Sequence, residues 1–313
     1  MITLADIRAA QDRITPHIRR TPLVEVQAVV ERPTDARLWL KLECLQVTGS
    51  FKMRGATNKA LSMPPEVLKN GIVTASGGNH GLATAEAARR AGVPAKIFVP
   101  ITVAPLKLEK LKRLGADVKV VGSIWNETNE YALEYARSTG AAYFHPFADP
   151  AVVAGQGTLA LEILEQNPEL DTLLIAIGGG GLITGMAVAL KALKPSIRVI
   201  GIEPVGCPTF HASIAAGKVV RLPKVTTRVA TMACAETDPD VFALSRPLID
   251  EVVLVEDEAM VEAARWLWYE FGLAADLSGA AAVAAMREER IRFESDRNIC
   301  ALVCGAGTEG IAP

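Results

Sequence analysis

Four consecutive glycines, Gly178-Gly179-Gly180-Gly181, cut an otherwise uncharged run of residues 173–190 in two. Unbroken, that run has the length of a membrane-spanning helix. With a glycine tract inside it, the chain turns sharply and leaves a strand over 173–177 and a helix over 182–193. The strand, Leu173-Leu174-Ile175-Ala176-Ile177, is apolar at every position. A strand of this kind is buried on both faces, as in a parallel sheet covered by helices.

The same unit recurs along the chain. Alternating and helical periods predict strands over 71–76, 95–100, 117–122 and 141–145, separated by helices over 80–92, 105–115 and 126–140. A second series follows: helix 152–166, the strand and helix around the glycines, strands 198–202 and 251–255, helices 258–271 and 278–289, and strand 298–303. Repeated βα units predict an α/β fold with parallel sheets. Residues 205–246 show no clear period, and a stretch of that length commonly serves as a lid or a subunit contact.

Charge and cysteine usage narrow the function classes. The net charge is -2, and no block of lysines and arginines offers an electrostatic footprint for nucleic acid. The glycine tract argues against a membrane helix, which leaves small metabolites as partners. The N-terminus lacks the basic start and apolar stretch of a secretory signal, so a cytoplasmic location is expected. Five cysteines, Cys44, Cys207, Cys234, Cys300 and Cys304, have neither CxxC nor Cys/His spacing, and no metal site is expected.

Against this background Lys52 is conspicuous. Leu38-Trp39-Leu40-Lys41-Leu42-Glu43 alternates as a half-buried strand does, and Ser50 is placed to N-cap a helix over 51–61. Lys52 then falls in the first helical turn. There the positive end of the helix dipole and burial both lower an amine pKa, which favours a nucleophilic amine; a solvated lysine is the plainer alternative. The glycine tract opens a helix after a strand, so its N–H groups can converge on a phosphate, although a tight packing turn would look the same. It is neither a Walker loop nor a GxGxxG fingerprint. A second strand-to-helix turn, Ser76-Gly77-Gly78-Asn79-His80-Gly81, offers N–H groups and a hydroxyl to a carboxylate, with Asn79 either binding a ring hydroxyl or capping the helix.

In order, Ser50-Phe51-Lys52, the Ser76–Gly81 turn, Gly178-Gly179-Gly180-Gly181-Leu182-Ile183-Thr184-Gly185 and Cys304-Gly305 resemble the pyridoxal-phosphate enzymes of fold type II. Within these, the serine/threonine dehydratase (ammonia-lyase) and serine racemase family is most similar, including dehydratases of the hydroxyectoine-utilisation type. The likeness covers nearly the whole chain, with His145-Pro146-Phe147, Gly155-Gln156-Gly157-Thr158 and Gly201-Ile202-Glu203-Pro204. It implies the tryptophan synthase β-like architecture of two parallel-sheet α/β domains. Residues 1–69 and 148–313 would form a large cofactor domain, and residues 70–147 a small substrate domain. It also implies pyridoxal 5'-phosphate as cofactor, an amino-acid substrate and a homodimer.

Residue by residue, the resemblance implies that Lys52 holds the cofactor covalently and, once released, takes the substrate Cα proton. Phe51 would pack beside the ring, Asn79 would bond its 3-hydroxyl, and Gly178, Gly179, Gly180, Gly181 and Leu182 would bind its phosphate. Cys304 would face the pyridine nitrogen. The turn from Ser76 through Gly77, Gly78 and Asn79 to His80 would hold the substrate carboxylate.

Several positions depart from the family pattern. Racemases carry a serine as second acid/base where Gly77 stands, which points to elimination, with racemisation accompanied by side dehydratase activity as the alternative. Asp276-Leu277-Ser278-Gly279 stands where a glutamate is common, and Arg228-Val229-Ala230-Thr231-Met232-Ala233 replaces Ala-Asp-Gly. Thr209 occupies the place of an aspartate that, with the residue matching Glu203, binds a divalent ion in racemase-like members. The short stretch after Cys304 leads to the expectation of no C-terminal regulatory domain. A catalytically dead binding protein on the same scaffold is the alternative outside enzymes.

Overall fold

The computed structural model describes residues 2–123 and 125–311. Helix α1 (Leu4–Ile14), held by a capping box between Thr3 and Asp6, precedes strands β1 (Leu23–Glu25) and β2 (Arg37–Leu42). Helices α2 (Lys52–Ser62) and α3 (Pro65–Leu68) lead to β3 (Ile72–Ala75), α4 (Asn79–Ala91), β4 (Ala95–Val99), α5 (Pro105–Arg113), β5 (Asp117–Val120), α6 (Trp125–Thr139) and β6 (Ala142–Tyr143). The second half runs through α7 (Pro150–Gln166), β7 (Thr172–Ala176), α8 (Gly181–Leu193), β8 (Arg198–Pro204), α9 (Thr209–Ala216) and α10 (Pro239–Ser245). It ends with β9 (Glu251–Val255), α11 (Asp257–Phe271), α12 (Leu277–Arg287) and β10 (Asn298–Val303).

The predicted elements are present, their ends moved by roughly a residue or two, the usual latitude of such boundaries. Helices α1, α3, α9 and α10 and strand β1 lie outside the predicted series. The start of α10 carries a legible signal, an Asp238 cap followed by Pro239, whereas α9 begins where the Glu203 carboxylate accepts the N–H groups of Phe210 and His211. That second start depends on tertiary structure, so the local sequence does not announce it.

Two sheets organise these elements. The larger has the order β1-β2-β10-β7-β8-β9, with β1 antiparallel to β2 and the other pairings parallel. The smaller has the order β5-β4-β3-β6 and is parallel throughout. Strand β7 is buried along its length, and α12 packs across β7 to β10 with α11 against it. The smaller sheet has a core of its own around Ile72, Ile97 and Phe144, to which α2 contributes Met53, Ala56 and Ala60. Since α2 also packs on α7, it joins the two halves of the molecule.

One expectation about β2 is corrected. Alternation suggested that its charged face is exposed, yet Lys41 and Glu43 are both 0% exposed, because partners from α2 and α7 enclose them. Arg54 of α2 makes two bonds to Glu43, at 2.8 and 2.7 Å, and one to Glu162 of α7 at 2.9 Å. Lys41 donates to Glu162 at 2.6 Å, and the Thr21 hydroxyl to Glu43 at 2.6 Å. Burial pushes the Glu162 carboxyl up, but Arg54 and Lys41 beside it more than offset this and hold it below its usual range. Two cations and two carboxylates thus cancel within a dry interior.

Glu162→Ala is expected to lower stability by about 3–5 kcal/mol, because it leaves two buried cations with Glu43 as the one remaining carboxylate of the cluster. The exposed pair Arg20 and Glu165, 2.8 Å apart, provides the control. Loss of Glu165 should cost less than about 1 kcal/mol. Urea unfolding midpoints at constant m-value check both figures.

Candidate active site

The carboxyl ends of β2, β10 and β7 are neighbours in the larger sheet, so the segments that follow these strands meet at one edge. After β2 the chain makes a tight turn, Val47–Gly49, in which Thr48 has φ 63° and Gly49 φ 85°. A β-branched residue in the left-handed region is costly, and such strain collects at functional sites. The turn is tied to the end of β10. Phe51 N–H donates to the Cys304 carbonyl at 3.1 Å, and Ala306 N–H to the Gly49 carbonyl at 2.8 Å. Ser50 bridges Gly305 in extended conformation, so it does not cap α2 as predicted; its hydroxyl is buried and has no hydrogen-bond partner.

Lys52 is the first residue of α2. Its amine is partly buried, donates to the Pro146 carbonyl at 2.6 Å and lies 5.1 Å from the centroid of the Phe51 ring. Burial pushes its pKa down to about 8. Two imidazoles stand nearby. Nε2 of His80 meets the Phe144 carbonyl at 3.0 Å while its Nδ1 is buried without a partner. Nδ1 of His145 accepts the N–H groups of Phe147 and Ala148 at 3.3 and 2.9 Å. Burial, with the Lys52 charge close by, lowers His80 to about 3 and His145 to about 4, so both rings are neutral.

The Ser76 turn opens α4, which no side chain caps. The Ser76 hydroxyl accepts the Gly78 N–H at 3.3 Å. A Cβ on Gly77 would meet a Val103 methyl at 2.8 Å, while Gly78 is open on its Cβ side. Asn79 does not cap the helix: its side-chain N–H donates to Asp276 Oδ2 at 2.8 Å. His80 contributes a buried ring in addition to its backbone, which nothing in the spacing of histidines foretold.

The glycine tract opens α8 in the same uncapped manner, with Gly180 at φ 92°. By contrast, α7, α10 and α12 each receive a carboxylate cap, from Asp149, Asp238 and Asp276. A Cβ on Gly179 would lie 2.2 Å from the Phe147 ring, and one on Gly181 2.4 Å from the Phe147 carbonyl. Glycine is therefore required by close approach, and the free N–H groups at Gly181 and Leu182 suit a phosphate. Phe147 adjoins Pro146, which holds Lys52, so the cradle and the amine share one segment.

Cys304 closes the circuit. It is buried, and its thiol donates to the Ser278 hydroxyl at 3.7 Å. Burial, and after it the Asp276 charge, push the thiol pKa far up, so it is neutral. Asp276 links this group to Asn79, a connection that the departure at this position did not reveal by itself. Phe51 is thus bonded directly to Cys304, Cys304 reaches Asn79 through Ser278 and Asp276, and Lys52 reaches the glycine tract through Pro146 and Phe147. An amine that sheds its proton beside an aromatic ring, an open helix N-terminus, an amide and a neutral thiol fit pyridoxal phosphate.

A divalent ion fits less well. Both oxygens of Glu203 accept backbone N–H groups, at 2.8 and 2.9 Å, and the Thr209 hydroxyl donates to the Cys234 carbonyl at 2.5 Å. Among the described residues no group of three or more His, Cys, Asp or Glu is placed to hold a metal. Among them, too, no helix is long and apolar enough to cross a membrane.

Residues 14–305 match the family model described as pyridoxal-phosphate dependent enzyme. The chain is 37% identical to an L-threonine ammonia-lyase of Geobacter sulfurreducens, with 97% of this chain and 76% of that protein covered. Its fold superposes with a TM-score of 0.92 on the crystal structure of a T.th. threonine deaminase, at 35% identity and 100% coverage of both chains. The TM-score is also 0.92 for maize serine racemase, at 34% identity with 97% of this chain and 93% of that one covered.

Acylation of Lys52 in the apoprotein, followed by peptide mass spectrometry, should show a half-maximal rate near pH 8, since a lowered pKa makes the amine neutral from that pH upward. A midpoint near about 10.4, the ordinary lysine value, would mean that the amine is solvated.

Proposed function

Because the chain belongs to the pyridoxal-phosphate dependent enzyme family, we propose that it catalyses β-elimination from a small β-hydroxy amino acid, L-threonine or L-serine, to give a 2-oxo acid and ammonia. The named relatives support this substrate class, and one observation favours elimination over racemisation. Gly77 stands where a racemase has its second acid/base, and Val103 closes that position to a side chain, with 2.8 Å between a built Cβ and its methyl. Only one face of the substrate then has a base.

Lys52, Phe51, Asn79, Gly178 to Gly181 with Leu182, and Cys304 would hold the cofactor, and Ser76 to His80 the substrate carboxylate. Bound there, pyridoxal phosphate supplies an electron sink that makes the substrate Cα–H acidic. The chain supplies the rest. Lys52, neutral above about pH 8, takes the Cα proton. The N–H groups at the start of α4 orient the substrate by its carboxylate, so that the Cα–H faces the amine. Departure of the β-hydroxyl as water leaves an enamine, which hydrolyses to the 2-oxo acid and ammonia.

This proposal brings with it a homodimer, a cytoplasmic location and the division at residues 70–147. The smaller sheet, from Ile72 to Tyr143, supports that division.

L-threonine, L-serine, threo-hydroxyaspartate, phenylserine and hydroxyectoine breakdown products form the test panel, with 2-oxo acid and ammonia release measured. Turnover of threonine or serine is expected, and Lys52→Ala should lower it by at least about 10²-fold, the smaller end of a general-base contribution. D-serine accumulating from L-serine faster than pyruvate would reverse the order of elimination and racemisation, and no turnover across the panel would refute the assignment.

A further inference from the structure

Asp276 has a part that neither helix capping nor the family match assigns. It is 4% exposed and N-caps α12, its Oδ1 accepting the Gly279 N–H at 2.6 Å. The same oxygen accepts the Ser278 hydroxyl at 2.7 Å, while Oδ2 accepts the Asn79 amide at 2.8 Å. An ionised carboxylate only accepts hydrogen bonds, so each of these groups must donate to it. This fixes the orientation of the Asn79 amide, since its nitrogen must face Asp276. It also commits the Ser278 proton to Asp276, which leaves the Ser278 oxygen to accept from the Cys304 thiol at 3.7 Å. The directions of both branches are therefore dictated from one carboxylate.

We propose that Asp276 is a positioning residue that sets the hydrogen-bonding polarity of Asn79 and Cys304, the two groups that would face the cofactor's ring hydroxyl and ring nitrogen. This rests on the cofactor placement given above. Through Asn79, Asp276 turns the amide so that its remaining N–H can meet the ring oxygen. Through Ser278, which accepts from the thiol at 3.7 Å, it governs whether the thiol proton is free to meet the ring nitrogen. The state of the ring nitrogen thus depends on a residue that does not touch it.

Asp276→Asn separates this role from capping. Asparagine remains a good N-cap and can still accept from Gly279 and Ser278, but it places an amide nitrogen against the Asn79 nitrogen, two donors face to face. The dissociation constant for pyridoxal phosphate is expected to rise at least about tenfold, as for loss of a hydrogen bond to a charged group, with little change in the melting temperature of the apoprotein. Ser278→Ala interrupts the thiol branch alone. It is expected to leave cofactor affinity within about threefold of the unmodified protein while moving the pH midpoint of the bound cofactor's absorption spectrum by about half a unit or more.

Unchanged affinity and spectrum in Asp276→Asn would overturn the proposal. Should that variant fail to fold, Ser278→Ala decides, and an unshifted spectral midpoint overturns it. An unmodified protein that does not bind pyridoxal phosphate would instead refute the cofactor placement.

Discussion

The buried cluster of Arg54, Glu43, Glu162 and Lys41 is the contact on which the geometry of the site depends. Arg54 lies two residues beyond Lys52 on α2, and its guanidinium is spanned by carboxylates from the end of β2 and from α7. A helix held only by apolar packing can slide by a fraction of a turn at modest cost. One whose cation must satisfy two fixed carboxylates cannot, since a displacement leaves charges unpaired where water does not reach. The cluster is close to neutral, so it imposes position without imposing a strong field on the amine nearby. Lys52 responds mainly to its own burial.

Burial has a common effect on the other groups at this edge of the sheet. His80 and His145 stay neutral and the Cys304 thiol keeps its proton. A site with few fixed charges gives a charged ligand large electrostatic effects, because the few groups that do carry charge are poorly screened. The uncapped starts of α4 and α8 then stand out as the places where an anion is favoured. Two such starts, one in each sheet system, match a ligand that carries a phosphate at one end and, with its substrate, a carboxylate at the other.

Much of this was legible in the sequence, for identifiable reasons. Apolar runs such as residues 173–177 mark buried parallel strands, and glycine tracts after strands mark turns into helices, so the βα order and both loops could be read directly. Lys52 could be singled out by its place behind such a strand. Charges that pair across the fold were not legible. Lys41 and Glu43 look like a solvent face until Arg54 folds back from the next helix and Glu162 arrives from one far along the chain. Ser50 looks like a helix cap, but its pairing with Gly305 makes it extended. The side chain of His80 and the carbonyl of Pro146 enter the site through contacts between distant segments, which local periodicity does not encode.

Asp276 shows how a shortened side chain can keep a long connection. An aspartate reaches one methylene less far than the glutamate common at this place, yet it meets Asn79 at 2.8 Å. The backbone around it makes up the difference. A Cβ on Gly305 would lie 2.4 Å from Asp276 Oδ2 and 2.8 Å from the Asn79 amide nitrogen, and one on Gly279 would lie 2.5 Å from the Gly305 carbonyl. The end of β10 and the start of α12 can therefore close on each other only because both positions lack side chains. Asp276 N–H donates to the Gly305 carbonyl at 3.0 Å, which secures that approach. Residues 276, 279 and 305 consequently form one constraint, and a longer carboxylate at 276 would press on the contact that places Asn79. Aspartate at this position is thus explained by the closeness of the two backbones, with the Asn79 bond as its consequence.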